Sequence, residues 1–232
     1  MIRRTWKLTG YVLGAAVLAF LLVQLWFYGH ILYWAKYEVG STRFMDARLS
    51  EMRERNPKAQ LRYRWVEYSR ISPALKRAVV AAEDDKFIDH EGFDWEGIQR
   101  ALKKNEKKGR AVAGGSTISQ QLAKNLFLSG ERSYIRKGEE ALITLMLEST
   151  LSKRRILELY MNVAEWGEGV FGAEAAARHY YGISASQLNA WQAARLAAML
   201  PRPRYYDQNR GSTYLAGYSN RILGRMHYAQ IP

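Results

Sequence analysis

Three consecutive acids, Glu83, Asp84 and Asp85, stand where a helix is predicted to end, and a carboxylate at that point is suited to proton transfer. The negative end of the helix dipole and the mutual repulsion of the acids both disfavour ionisation. We therefore expect at least one of the three to have a raised pKa, as a proton acceptor that works near neutrality requires. The alternative interpretation is a solvated acidic turn that Gly92 closes.

The helix that positions these acids begins at Ser72-Pro73, which supplies an N-cap and a proline at the first helical position. The apolar residues Ala74, Leu75, Ala78, Val79, Ala81 and Ala82 follow at helical spacing. The sequence therefore predicts a helix that runs into Glu83.

A glycine pair opens a second helix that could hold an anion. In Gly114-Gly115-Ser116-Thr117 the main-chain N–H groups at the helix start are not obstructed by large side chains, which suits phosphate binding, although the spacing of a P-loop is absent. Four polar residues follow on a short helix, namely Gln120, Gln121, Lys124 and Asn125. An ordinary capped surface helix is the alternative interpretation.

A third group, Arg136, Lys137 and Glu140, shares one face of the next predicted helix. A surface ion pair would explain these charges. The residues that follow, from Ala141 to Leu147, are apolar nearly all round the helix, so we expect the helix to be buried and its charges to face a cleft. Glu140 thus becomes a second candidate carboxylate, and two carboxylates with cations between them suit glycosyl chemistry.

The remaining pattern predicts a mainly α-helical chain without convincing strands. Residues 37–70 read as an irregular, charge-rich connector, and Lys103 to Arg110 as a solvated basic loop after a short helix. Further helices are predicted from a cap at Ser116 or Thr117 to Ser129-Gly130, from Ser133 to Ser149, from Ser152 to Asn162, from Ala173 to Tyr181, and from a capping box at Ser184 and Gln187 to Pro201.

The N-terminus carries a candidate membrane anchor. Residues 8–29 contain no charged side chain and are long enough to cross a bilayer, at about 1.5 Å per residue. A cleaved signal peptide is the rival, but the apolar run exceeds the usual length and no small-residue cleavage site follows it. Basic residues precede the span more densely than they follow it, which favours a cytoplasmic N-terminus.

Charge and cysteine content limit the function further. The first 28 residues hold three basic residues and no acid, which leaves 32 basic against 22 acidic residues in the remainder. Such a surplus beside a membrane favours anionic headgroups, phosphates or polyanionic polymers. No nucleic-acid-binding motif is present, and the lack of cysteine excludes disulfides and thiol catalysis.

These segments resemble the five signatures of the peptidoglycan glycosyltransferases of family 51. Glu83-Asp84 with Phe87, His90 and Gly92 is similar to the first, and GGSTISQQLAKNLFL to the second. Arg136-Lys137 with Glu140 resembles the third, ILELYMN from Ile156 to Asn162 the fourth, and Trp166-Gly167 with Gly172 the fifth. Asp85 departs from the arginine of many relatives. The lack of a following penicillin-binding domain leads us to expect the monofunctional type.

The resemblance implies a lysozyme-like α-helical domain over residues 68–232, with a smaller membrane-associated lobe. Residues 1–7 would be cytoplasmic, 8–29 the anchor and 30–67 the connector. It implies polymerisation of lipid II into glycan strands, in which Glu83 is the general base and Glu140 orients the substrate or supports the diphosphate site. Cations and cleft residues carried over in the same way are Asp84, Phe87, His90, Gly115, Ser116, Thr117, Gln121, Lys124, Asn125, Arg136 and Lys137.

The expected partners are lipid II, the lipid-linked glycan chain, the membrane and other cell wall synthesis or division proteins, without nucleic acid. The expected location is the bacterial inner membrane, with the catalytic domain on the periplasmic side. No protein-held metal is expected, although a Mg²⁺ or Mn²⁺ ion that bridges the diphosphate is compatible with the resemblance. Two other functions stay open, a lytic enzyme that cleaves glycan and a noncatalytic membrane-tethered scaffold.

Overall fold

The computed structural model describes residues 2–110, 114–128 and 133–232. The chain divides into two compact units, Met1–Tyr37 and Glu38–Pro232. The first unit is the helix α1, Ile2–Trp34. Within α1, the 26 residues Thr9–Trp34 have a mean hydropathy of 2.0 and form a helix that is long and apolar enough to cross a membrane. The predicted span of residues 8–29 lies within α1, which continues to Trp34.

The second unit is built mainly from helices. Its α-helices are α2 (Arg43–Arg55), α3 (Pro73–Glu83), α4 (Trp95–Lys108), α5 (Ile118–Phe127), α6 (Tyr134–Thr150), α7 (Lys153–Val163), α8 (Ala173–Tyr181), α9 (Ala190–Met199), α10 (Pro203–Gln208) and α11 (Thr213–Arg225). Three-residue 3-10 helices lie at Tyr68–Arg70, Ala185–Gln187 and Met226–Tyr228. The short strands are β1 (Arg62–Tyr63), β2 (Glu165–Gly167) and β3 (Val170–Phe171). The predicted mainly α class is confirmed.

Local capping chemistry explains the helices whose ends the sequence predicts well. The side chain of Ser72 accepts a hydrogen bond from the main-chain N–H of Leu75, and α3 begins at Pro73 and ends at Glu83 as predicted. Ser133 and Ser152 cap α6 and α7 in the same way. Each hydroxyl satisfies one of the unpaired N–H groups at a helix start.

Two predictions of irregular chain are wrong. Residues 43–55, part of the expected connector, form α2, which Thr42 caps and which packs against α5. Residues 103–108, part of the expected basic loop, continue α4 to Lys108, where Gly109 ends the helix in the left-handed conformation. Lysine and glutamate have high helix propensity, and a run of charges is a solvated helix face as readily as a loop.

Two further expectations need correction. The capping box at Ser184 and Gln187 starts only the 3-10 helix Ala185–Gln187, and Asn189 with Gln192 caps α9. Helix α6 is not buried all round, since Tyr134, Ile135, Leu142 and Leu145 are exposed. The apolar character of α6 therefore exceeds what its packing requires. The predicted helix end at Ser129-Gly130 lies outside the described residues, and α5 ends at Phe127.

The three strands form a small mixed sheet in the order β1-β3-β2, with β1 parallel and β2 antiparallel to β3. Helix α2 is tied to this sheet by an ion pair between Arg48 and Glu165, whose side chains are both buried. The Nε and Nη2 atoms of Arg48 donate to the two carboxylate oxygens of Glu165 at 2.8 and 3.0 Å. This two-bond geometry offsets the cost of burying both charges.

The helices around α3 and α5 form the rest of the core. Helix α3 packs against α9 and α11, and α5 packs against α6 and α7. Large side chains that are fully buried include Trp166, Tyr160, Phe171, Leu75 and Leu122. The end of α3 and the start of α5 are thus held in a rigid frame, which is where the candidate residues lie.

Candidate active site

Glu83, the last residue of α3, is joined to α5 by its carboxylate. Its Oε2 accepts a hydrogen bond of 2.8 Å from Nε2 of Gln121. Its Oε1 is buried and has no hydrogen-bond partner among the described residues. A buried acceptor without a partner is costly, so this oxygen is prepared to receive a proton or a donor from a ligand.

Burial raises the pKa of Glu83, and the charge of Asp84 adds to the rise. The hydrogen bond from Gln121 and the charge of Lys124 act in the opposite direction without cancelling it. The prediction that one of the three acids has a raised pKa is therefore confirmed. The main cause is desolvation rather than the helix dipole and like charges from which we predicted it.

The carboxylate of Asp84 is bonded within the site, and Asp84 also lines the same cavity as Glu83. Its Oδ1 lies 2.9 Å from Nε2 of His90, and its Oδ2 accepts from the main-chain N–H of Ile118 at 3.0 Å. The second bond ties the end of α3 to the start of α5. Asp84 is buried, as is the side chain of His90 for the most part. Both residues thus position Glu83, and their contact with substrate stays a prediction.

The other predicted residues of the loop also have structural contacts. Phe87 is fully buried beneath the Nζ atom of Lys153, so the prediction that it lines the cleft is wrong: its ring belongs to the core. The hydroxyl of Thr117 donates to the carbonyl of Gly92 at 2.7 Å and closes the loop. Gly92 has φ +92°, where a side chain is strained, and an added Cβ would lie 2.8 Å from Thr144.

The glycine pair and Ser116 line a cavity of about 440 Å³, here called the second cavity. Its other lining residues include Glu83, Asp85, Arg100, Lys104, Thr117 and Arg225. Gly115 has a packing role as well, because an added Cβ would lie 3.0 Å from the Cα of Ile98 in α4. Thr117 and Gln120 form a capping box, which satisfies two N–H groups at the start of α5.

A larger cavity of about 590 Å³, here called the first cavity, lies on the Gln121 side. Gln121, Lys124 and Asn125 of α5 line one part of it. Cationic and aromatic residues that the sequence did not single out line other parts of it, among them Arg48, Arg55, Arg202, Arg204 and Tyr205. The Pro201-Arg202-Pro203-Arg204 run after α9 is a signal that could have identified this wall.

Because Gln121 lines the first cavity and Glu83 the second, their hydrogen bond lies between the two. The Oε1 atom of Gln121 accepts from the hydroxyl of Tyr160 at 3.0 Å. Tyr160 was not predicted as a site residue, although it lies within the fourth motif. Burial, together with the charges of Glu83 and Asp84, raises the pKa of Tyr160, so its hydroxyl stays protonated.

Lys124 connects the two predicted catalytic carboxylates. Burial lowers its pKa, the charges of Glu140 and Glu83 act to raise it, and those of Arg136 and Lys137 act to lower it. Lys124 therefore lies within electrostatic reach of all four residues. Charged residues of α3 and α6 that are far apart in sequence thus act on one lysine of α5.

On α6, Glu140 is buried and pairs with two cations. Lys137 donates from Nζ to its Oε1, and Nη1 of Arg136 lies 3.6 Å from its Oε2. The Nε and Nη1 atoms of Arg136 are buried without a hydrogen-bond partner among the described residues. These unsatisfied donors give the cluster capacity for an additional anion.

The donor set does not fit a protein-held metal. Among the described residues, no group of three or more histidine, cysteine, aspartate or glutamate side chains is arranged to hold an ion. The oxygens of Asp84 are bonded to His90 and Ile118, and Oε2 of Glu83 is bonded to Gln121. A divalent cation at this site would depend on oxygens of the ligand.

A family model described as Transglycosylase matches residues 49–227. The chain belongs to the transglycosylase family. Membership agrees with the expected lysozyme-like, mainly α class.

Named relatives of this transglycosylase cover nearly the whole chain. A protein of Laribacter hongkongensis named biosynthetic peptidoglycan transglycosylase is 63% identical over 219 residues, which are 94% of this chain and 96% of that protein. Proteins with the same name from Dechloromonas aromatica and Azoarcus sp. are 63% and 59% identical over 213 and 227 residues. The alignments cover 92% of both chains in the first case and 98% of both in the second.

Proposed function

We propose that this transglycosylase polymerises lipid II into peptidoglycan glycan strands. The observation that carries the proposal is the carboxylate of Glu83, which has a raised pKa, a buried Oε1 with no partner among the described residues, and Lys124 nearby. A general base needs a pKa near the working pH and a free lone pair directed at its substrate. Membership in the family and the names of the relatives support the substrate class.

In the proposed reaction, Glu83 takes the proton of the 4-hydroxyl of the incoming lipid II sugar. The hydroxyl oxygen then bonds to the anomeric carbon of the growing chain as the bond from that carbon to the polyprenyl diphosphate breaks. Attack from the face opposite the leaving group inverts the anomeric centre. The electron pair of the broken bond leaves on the diphosphate, which gains negative charge in the transition state.

Cations around Lys124 would stabilise that charge. Lys124, Arg136 and Lys137 lie within electrostatic reach of one another, and Arg136 has buried donors that bond to none of the residues the structure describes. Preorganised donors of this kind lower the barrier because they need no rearrangement during the reaction. Glu140 holds Arg136 and Lys137 in place, so we propose an orienting role for Glu140 rather than proton transfer.

We also propose that α1 anchors the enzyme in the inner membrane, with the second unit on the periplasmic side. The support is the length and hydropathy of Thr9–Trp34 and the excess of basic residues before it. A diphosphate-bearing lipid substrate is then held at the same surface as the enzyme. Contacts with other cell wall synthesis or division proteins stay a prediction.

A lipid II polymerisation assay on full-length enzyme in detergent tests the proposal. Glu83→Gln removes the base and keeps the side-chain shape, so we expect a loss of about 100-fold or more in turnover. Glu91→Gln, which changes an exposed acid of the same loop, is the matched control and should retain activity. Wild-type polymerisation by Glu83→Gln would contradict the base assignment. Shortened strands from purified cell wall, without polymer from lipid II, would instead indicate a lytic enzyme.

A further inference from the structure

The C-terminal end of α3 lacks the usual local means of stabilisation. Its last turn contains no basic residue, and Asp84 follows Glu83 in place of a left-handed glycine. The last four carbonyls of a helix need partners from outside the helix, and acids at this end oppose the helix dipole. The end of α3 therefore depends on other parts of the molecule.

Helix α11 supplies two of the missing partners. The hydroxyl of Tyr218 donates to the carbonyl of Ala82 at 3.2 Å, and Nη2 of Arg225 donates to the carbonyl of Ala81. The two side chains are seven residues apart and share one face of α11. On the same helix Leu215, Ser219 and Ile222 are buried, so α11 itself is firmly packed.

Both residues also lie close to Glu83. Burial is the main cause that raises the pKa of Tyr218, and the negative charge of Glu83 is the second. The Tyr218 hydroxyl therefore stays protonated at neutral pH and can donate. Arg225 lines the second cavity together with Glu83. Arg225 therefore supplies a cation, and Tyr218 a neutral donor, to the C-terminal end of α3.

We propose that Tyr218 and Arg225 are positioning residues for the reaction. Their bonds to Ala82 and Ala81 fix the last turn of α3, and this turn places the Glu83 carboxylate against Gln121. The proposal rests on the proposed function of Glu83 as the base, and it brings a helix beyond the five motifs into the catalytic apparatus. A displacement of about 1 Å is enough to lower a rate about 100-fold.

The predicted effect falls on turnover and on its pH dependence. If the last turn of α3 loosens, Glu83 loses part of its hydrogen bond from Gln121, which acts to lower its pKa. While the carboxylate stays buried, the loss of this bond raises the pKa of Glu83, and the acid limb of the profile of kcat against pH moves to higher pH. In Tyr218→Phe the Michaelis constant for lipid II should change less than about twofold, because Tyr218 is not assigned to substrate binding.

The test uses full-length enzyme with Tyr218→Phe, Arg225→Met and Arg225→Lys. Tyr218→Phe and Arg225→Met should each lower kcat about tenfold at neutral pH, while Arg225→Lys, which keeps a donor, should recover most of the loss. The matched controls are Tyr63→Phe and Arg195→Met. These residues donate to the main-chain carbonyls of Val39 and Arg210 in the same manner, away from α3, and their variants should retain wild-type kcat and pH profile.

Measuring Glu83→Gln in the same series separates the possible failures. If Glu83→Gln is inactive but the α11 variants behave like the controls, the positioning role is overturned and the base assignment stands. The positioning role is also overturned if the variants lose kcat only in proportion to their unfolded fraction and the acid limb does not move. Circular dichroism at the assay temperature measures the unfolded fraction. If Glu83→Gln is fully active, the base assignment fails and the positioning role fails with it.

Discussion

The hydroxyl of Tyr160 donates to Oε1 of Gln121 at 3.0 Å, and this bond supports the amide orientation in which Nε2 faces Glu83. With Oε1 engaged, Nε2 is directed at Oε2 of Glu83. A reversed amide would place two acceptors against each other whenever Glu83 is ionised. Tyr160 of α7 thus influences the hydrogen bonding of Glu83 through Gln121 of α5.

Removing the hydroxyl of Tyr160 should shift the pH dependence of the reaction. In Tyr160→Phe the Gln121 amide is free to rotate, and the ionised form of Glu83 loses a donor that stabilises it. The pKa of Glu83 then rises further, so the acid limb of kcat moves to higher pH and turnover at neutral pH falls about tenfold or less. Rate measurements over a pH series check this. An acid limb that coincides with that of wild type would contradict it.

Glu83 should also reduce the stability of the free enzyme at neutral pH. Because its pKa is raised in the folded state, the folded protein binds the proton more tightly than the unfolded chain. Stability therefore falls as pH rises from the unfolded pKa, about 4.3, through the folded pKa. We expect Glu83→Gln to have a higher Tm than wild type at pH 7 and no such advantage near pH 4. Calorimetry at the two pH values measures the difference, and an equal gain at both would contradict the linkage.

The buried pair between Arg48 and Glu165 gives a prediction about stability alone. Arg48→Met leaves the buried Glu165 carboxylate without its cation, which should lower the free energy of unfolding by about 3–5 kcal/mol. Replacing both residues by methionine removes the unpaired charge and should recover most of that loss. Denaturant titration of the three proteins tests this. A double variant no more stable than Arg48→Met would show that the pair is not the cause.

The cationic wall of the first cavity should make the reaction sensitive to salt. Arg202 and Arg204 line this cavity, and a diphosphate substrate is attracted by them over long range. We expect kcat/KM to fall as ionic strength rises at fixed detergent, and the Arg202→Gln/Arg204→Gln double variant to show a lower value with a weaker salt dependence. Arg77→Gln/Lys58→Gln carries the same charge change at exposed positions and is the control. Activity that is indifferent to salt would exclude electrostatic steering.

Much of the fold follows from local chemistry. Ser72-Pro73, Ser133 and Ser152 each define a helix start, because a capping hydroxyl acts on N–H groups within three residues. Helix α4 is longer than predicted, because the basic run after Leu102 has the charge pattern of a solvated loop but consists of residues with high helix propensity. Helix α2 departs from the prediction in the same way: its charge-rich sequence resembles a connector, although Thr42 caps a helix there.

The site was predictable only where residues lie within motifs. Glu83, Lys124 and Glu140 were predicted and do meet electrostatically, although they come from three helices. The sequence does not predict Tyr218 and Arg225 as site residues. They bond to main-chain carbonyls 136 and 144 residues away, and no sequence spacing indicates contacts over such separations. Burial also separates residues of one motif: Phe87 packs in the core while Glu83, four positions earlier, faces the second cavity.

The unpartnered Oε1 of Glu83 bears on selectivity between acceptors. A sugar that brings a hydroxyl to this oxygen supplies a hydrogen bond that none of the described residues makes. A deoxy sugar of the same shape would displace solvent from the site and leave the lone pair unsatisfied, and sites of this kind reject such analogues by factors of about 10⁴ to 10⁵. The same atom that activates the nucleophile therefore distinguishes the correct acceptor from a near copy before any bond is made.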